Sequence, residues 1–143
     1  MQKPLDLGGK IIDAANIHTV KPLSGERIAG LNSHKNFTAE IRAIGGGGFV
    51  EKLSVSDIVE GLAKIGENLT LLPTGEAIRS AWVISVKEFA SRPDAPNNKY
   101  ASVVELRNPT TGDKVQEWLT ARPTQILGSK PLSLNDLGGG PGG

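Results

Sequence analysis

The stretch SAWVISVKEFASRPDAPNNKYASVVELRNPTTGDKVQEWLT, residues 80–120, holds runs in which side chains alternate in character. Successive side chains of a β-strand point to opposite faces, so Trp82, Ile84 and Val86 share one face and Val83, Ser85, Lys87 and Phe89 the other. The next run sets Tyr100, Ser102, Val104 and Leu106 against Ala101, Val103, Glu105 and Arg107. NPTTGD, residues 108–113, places Pro109 and Gly112 where a compact turn wants a fixed φ and a positive φ. Residues 115–121 are therefore expected to fold back as a third antiparallel strand. The first two strands are joined differently: ASRPDAPNNK, residues 90–99, spends ten residues where about two would close a hairpin.

Upstream, Phe37, Ala39, Ile41 and Ala43 alternate with Thr38, Glu40 and Arg42, the pattern of a half-buried strand. Gly45 to Gly48 form a connection free to visit positive φ, and residues 49–53 return as its hairpin partner. These glycines precede a strand and lack a Walker-type lysine and hydroxyl, so a hairpin turn is favoured over a phosphate cradle. Val55, Ile58, Leu62 and Ile65 fall at helical spacing, with Ser54 or Ser56 as cap and Gly66 as stop, which predicts one amphipathic helix. Residues 10–20 are expected as a first strand, followed by a long solvated connection over residues 21–35.

A chain of 143 residues can build one ordinary domain. Residues 1–9 are expected as a flexible lead, 10–127 as the domain and 128–143, ending in GGGPGG, as a disordered Gly-rich tail. Apolar residues make up 38% and charged residues 22%, ordinary for a globular protein. Absent cysteine removes disulfides and thiolate chemistry, and fits a reducing compartment, so the expected localisation is cytoplasmic. No apolar run is long enough to span a membrane and the start has no apolar signal core, so no membrane role is expected. The net charge of +1 argues against a strongly basic protein, yet allows one basic face.

His18 and His34 have no ligand companions at metal spacing, and no GxSxG elbow is present. No metal site, cofactor or catalytic residue is assigned, and the protein is not expected to be an enzyme. The aromatic residues carry more information. Phe37, Phe49, Trp82 and Trp118 lie within predicted strands, while Phe89 and Tyr100 flank the long loop that carries Arg92 and Lys99.

The fold class expected is mainly β with one amphipathic helix, α+β, built as an OB-fold-like antiparallel barrel of five to six strands. Element order carries this: strand, long loop, hairpin, helix, then strands around a second long loop. Over residues 10–121 the architecture resembles that of single-stranded DNA-binding proteins, including small ones from phages and plasmids that act in replication or recombination. Such proteins usually end in an acidic, aromatic-tipped tail, whereas this chain ends in glycines with only Asp136 nearby, so recruitment of partners through the tail is not implied. Within that frame Lys87, Arg92, Lys99 and Arg107 are expected to contact phosphate, Phe89 and Tyr100 to stack on bases, and Lys21, Arg27 and Lys35 to close the groove. The expected partner is single-stranded nucleic acid, DNA preferred, with a homo-oligomer through the edge strand at residues 115–121 as a further expectation. The alternative is a structural or protein-interaction module, such as a virion component or an inhibitor of a host protein.

Overall fold

The computed structural model describes residues 1–23, 37–89 and 99–138. The described residues are mainly β, with three sheets and few helices. A first hairpin pairs β1 (Pro4–Asp6) with β2 (Ile11–Asp13). Next come β3 (Ile17–Pro22), β4 (Phe37–Ala43), β5 (Gly48–Glu51) and helix α1 (Val55–Lys64). The short strands β6 (Thr70–Leu71) and β7 (Ala77–Ile78) follow, then β8 (Val83–Glu88), β9 (Ser102–Arg107) and β10 (Lys114–Leu119). Two short helices, α2 (Pro123–Leu127) and α3 (Leu134–Gly138), complete the described chain. One sheet has the order β5-β4-β3-β7-β6 and another β10-β9-β8.

Among the described residues the strands do not close into the single barrel that the sequence suggested. Local chemistry at Asp13 and pairing at β3 explain why. The Asp13 carboxylate accepts the Ala15 N–H at 3.0 Å and caps a 3₁₀ turn, Ala14–Asn16, which breaks the long first strand expected over residues 10–20. The same carboxylate accepts the N–H groups of Gln2 and Lys3 at 3.0 and 3.1 Å, which joins the start of the chain to the end of β2. The outer edge of β3 is then taken by β7, leaving β8, β9 and β10 as a separate sheet.

Helix α1 forms where expected. Ser54 accepts the Asp57 N–H and Asp57 accepts the Ser54 N–H, both at 3.1 Å, while Val55, Ile58 and Leu62 point into the core. In the turn joining β9 to β10, Gly112 has φ +80°, as the sequence required. Gly47 is needed for a different reason: a Cβ there would lie 1.8 Å from the Ile41 carbonyl oxygen of β4. Gly47→Ala is therefore expected to destabilise the protein by about 1–3 kcal/mol through overpacking. Gly61→Ala, in α1 where a Cβ meets nothing, should stabilise it by about 0.5–1 kcal/mol. Urea unfolding of both variants checks the contrast.

The chain is also built twice. Residues of the first hairpin, turn and strand, IIDAANIHTVK from Ile11 to Lys21, match AIRSAWVISVK from Ala77 to Lys87, with Ile12 and Ile78, Ala15 and Ala81, Val20 and Val86, and Lys21 and Lys87 in common. The hairpins β1–β2 and β6–β7 correspond, and each leads into a 3₁₀ turn. The residue before the turn has φ −87°, ψ 115° at Asp13 and φ −79°, ψ 90° at Arg79, and the residue after it has nearly the same conformation at Ile17 and Val83. Both following strands slip register at the same place, between Ile17 and Thr19 and between Val83 and Ser85. Each then continues as a three-stranded antiparallel meander and a helix with a buried isoleucine, Ile58 or Ile126.

Each half has its own apolar cluster. The first gathers Ile12, Ile17, Val20, Ile41, Val50, Ile58 and Leu62, and is completed by Leu69 and Ala77 from the second half. The second gathers Leu72, Ile78, Trp82, Val104, Leu106, Leu119 and Ile126.

Candidate nucleic-acid interface

Pairing within β8, β9 and β10 fixes which side chains share the outer face of that sheet. Lys87 and Trp118 both stand opposite Val103, Ser85 and Gln116 both stand opposite Glu105, and Arg107 stands opposite Lys114. The other face carries Val86, Val104, Leu106 and Leu119 inward. Trp118 is 40% exposed on the outer face, an apolar ring at the surface with Val103 opposite it, Lys87 beyond Val103 on β8, and Arg107 and Lys114 at the other end of the same face. Lys87, Arg107 and Lys114 are exposed, and Lys114 lies 3.8 Å from Glu105.

Tyr100 lies just before β9 and is partly buried. The ammonium groups of Lys21 and Lys99 sit 5.5 and 5.8 Å from its ring centroid, close enough for cation–π attraction. Lys21 is also held from below: it donates to the Trp118 carbonyl at 2.7 Å and lies 3.1 Å from the Glu117 carboxylate. Its side chain is only 12% exposed, so it supports Tyr100 and β10 from within. Phe89 is partly buried at the end of β8, where its N–H donates to the Ala101 carbonyl at 2.8 Å. Lys21, Lys99 and Tyr100 thus come together, Lys87 and Phe89 lie toward the same end of the sheet, and Arg107 lies at the far end of β9. Arg27, Lys35 and Arg92, with most of both long loops, lie outside the described residues.

Beneath this surface, charged groups join the two halves. Glu117, almost fully buried, also accepts from Arg42 of β4, which lies 3.3 Å from Glu40. His18 is buried beside them, with Nδ1 2.8 Å from the Thr19 hydroxyl oxygen. Burial pushes the His18 pKa down to about 4; Glu117 pulls it upward, while Arg42, Lys21 and Arg79 reinforce the fall. The imidazole is therefore neutral near pH 7. In the first half an apolar groove of about 960 Å³ is lined by Leu5, Leu7, Phe37, Phe49, Leu53 and Leu62, so Phe37, placed from the sequence on a half-buried strand, borders a groove. Among the described residues no group of three or more His, Cys, Asp or Glu side chains is placed to hold a metal. No helix there is long and apolar enough to cross a membrane.

The surface residue the sequence reading passed over is Trp118. Its strand alternates Lys114, Gln116 and Trp118 against Val115, Glu117 and Leu119, and the acidic Glu117 obscures which set faces inward. Compared with known protein families, curated proteins and solved structures, the chain matches none.

Proposed function

We propose that the protein binds single-stranded nucleic acid, DNA foremost, without catalysis, on the outer face of the β8–β9–β10 sheet. The exposure of Trp118 on a sheet face that also bears Lys87, Arg107 and Lys114 carries this reading. An aromatic ring on a sheet face can stack on any base, and flanking cations hold the backbone without reading sequence. Lys87, Arg107 and Lys114 supply that charge, with Lys99 and Tyr100 continuing the surface toward the long loop.

Trp118 is also the reporter. Trp82 is buried, so quenching by a nucleic acid should come from Trp118. Titration with oligo-dT or oligo-rU is expected to quench emission at low salt and less so at moderate salt. Trp118→Ala should weaken binding by about 1–3 kcal/mol, read by anisotropy of a labelled oligonucleotide, with an unchanged salt slope. Arg107→Ala combined with Lys114→Ala should instead flatten the slope of log affinity against log salt by about 1.4, at about 0.7 per phosphate contact on a single strand. No affinity for either oligonucleotide at low salt rejects the reading.

A further inference from the structure

The duplication leaves one strand pairing unmatched. Between the halves, β7 docks along β3 with Thr19 opposite Ile78 and Val20 opposite Ala77. In the second half β8 corresponds to β3, and in the first half β2 corresponds to β7. Yet among the described residues β8 pairs only with β9, and β2 only with β1. We propose that β2 of a second copy of this chain pairs antiparallel with β8, setting Ser85 opposite Ile12 and Val86 opposite Ile11, in the register by which β7 pairs with β3.

Burial at the corresponding positions supports this pairing. Ile17, His18, Thr19 and Val20 of β3 are all buried, whereas Val83 and Val86 are only partly covered and Ile84 is 46% exposed. On the other strand, Ala77 is fully buried in the first core, while its counterpart Ile11 is 56% exposed. Exposed apolar side chains thus occur on both strands whose pairing is missing. An unpaired strand edge offers a row of backbone donors and acceptors, and apolar side chains along it favour strand addition. The first core receives Leu69 and Ala77 across the β3–β7 junction, whereas the second receives nothing from β2 of its own chain.

The match between the junctions is incomplete in an informative way. Arg79 ties the β3–β7 junction by donating to the carbonyls of Ala14 and Ile17, and Asp13 stands at the corresponding position in β2. The contact between copies therefore lacks that guanidinium and should form and dissociate with concentration. It is head-to-tail, since each copy offers a β2 edge and a different β8 edge. Lys21 follows Val20 at the β3–β7 junction and reaches the Trp118 carbonyl of β10, and its counterpart Lys87 follows Val86 at the new contact. Arg107 and Lys114 lie at the far end of the sheet instead.

Sedimentation equilibrium over a range of concentrations tests the proposal. The wild-type mass is expected to rise with concentration, and Ile11→Lys and Ile84→Lys should each remain single chains with wild-type circular dichroism. An equimolar mixture of the two variants should then form a two-chain species, because one keeps a working β8 edge and the other a working β2 edge. A wild-type protein that stays a single chain, or a variant that assembles as the wild type does, overturns the proposal. Single-chain variants that fail to associate on mixing overturn the head-to-tail register. Should a lysine variant lose its fold, Ile11→Ser and Ile84→Ser must weaken association, and unchanged association overturns the proposal equally.

Discussion

Arg79→Met is expected to cost about 3–5 kcal/mol of folding stability, the effect of removing one member of a buried ion pair. Arg79 sits where the halves meet, 7% exposed. Its guanidinium donates to the Ile17 carbonyl at 2.6 Å, the Ala14 carbonyl at 3.2 Å and the Glu67 carboxylate at 3.2 Å, and stacks 4.6 Å from the Trp82 ring centroid. Methionine would fill much of the volume but withdraw the guanidinium from all three acceptors, leaving the Ala14 carbonyl with the Ile17 N–H that closes the 3₁₀ turn and Glu67 with Lys3, 3.6 Å away. Arg79→Lys should recover only part of the loss, because one ammonium cannot reproduce a planar fork aimed at separate acceptors. Urea unfolding midpoints at constant m give the comparison; a loss below about 1 kcal/mol for the methionine variant would show that the junction does not depend on this group.

The second large effect is a dependence on pH. His18 has a folded pKa of about 4 against the ordinary imidazole value of 6.5. Between those values the unfolded chain binds a proton that the folded chain refuses, so stability falls as the pH is lowered through that window. From pH 7 to pH 5 this amounts to about 2 kcal/mol at the usual 1.36 kcal/mol per pKa unit. Asp6, Asp13 and Asp57, whose carboxyl pKa values are lowered by hydrogen bonds, lose their contributions only at more acid pH, below the ordinary aspartate value of 3.8. His18→Ile takes the residue found at the matching position of the second half, Ile84, and should remove most of the loss between pH 7 and pH 5. Equal pH dependence in the two proteins, followed by thermal melting, would assign the acid sensitivity elsewhere.

Much of the strand content was legible from local pattern. Period-2 alternation located β4, β8, β9 and β10, the spacing of Val55, Ile58 and Leu62 located α1, and Gly112 marked the β9–β10 turn. The arrangement of strands was not legible in the same way. Asp13 was read as one residue of a strand, whereas its side chain, by capping backbone N–H groups, ends β2. β6 and β7 are too short to show a period, yet β7 decides where β3 finds its second partner. The duplication was present in the residues from Ile11 to Lys21 and from Ala77 to Lys87, but it appears only when distant segments are laid side by side. For the candidate surface, Lys87 and Arg107 were identified from strand alternation, while Lys21 was drawn inward by Glu117, a pairing between strands far apart in sequence.

Leu69 and Ala77, supplied by the second half to complete the first core, impose an order on biosynthesis. A ribosome finishes the first half while these residues are still unmade or in its tunnel, so the emerging chain holds β3 with one side bare. Its apolar cluster can close only after Ala77 has emerged and Arg79 can reach the carbonyls of Ala14 and Ile17. The first half made is thus not the first half finished, and on a polysome its bare strand lies near those of neighbouring nascent chains, where pausing between residues 66 and 79 would prolong the interval for mispairing.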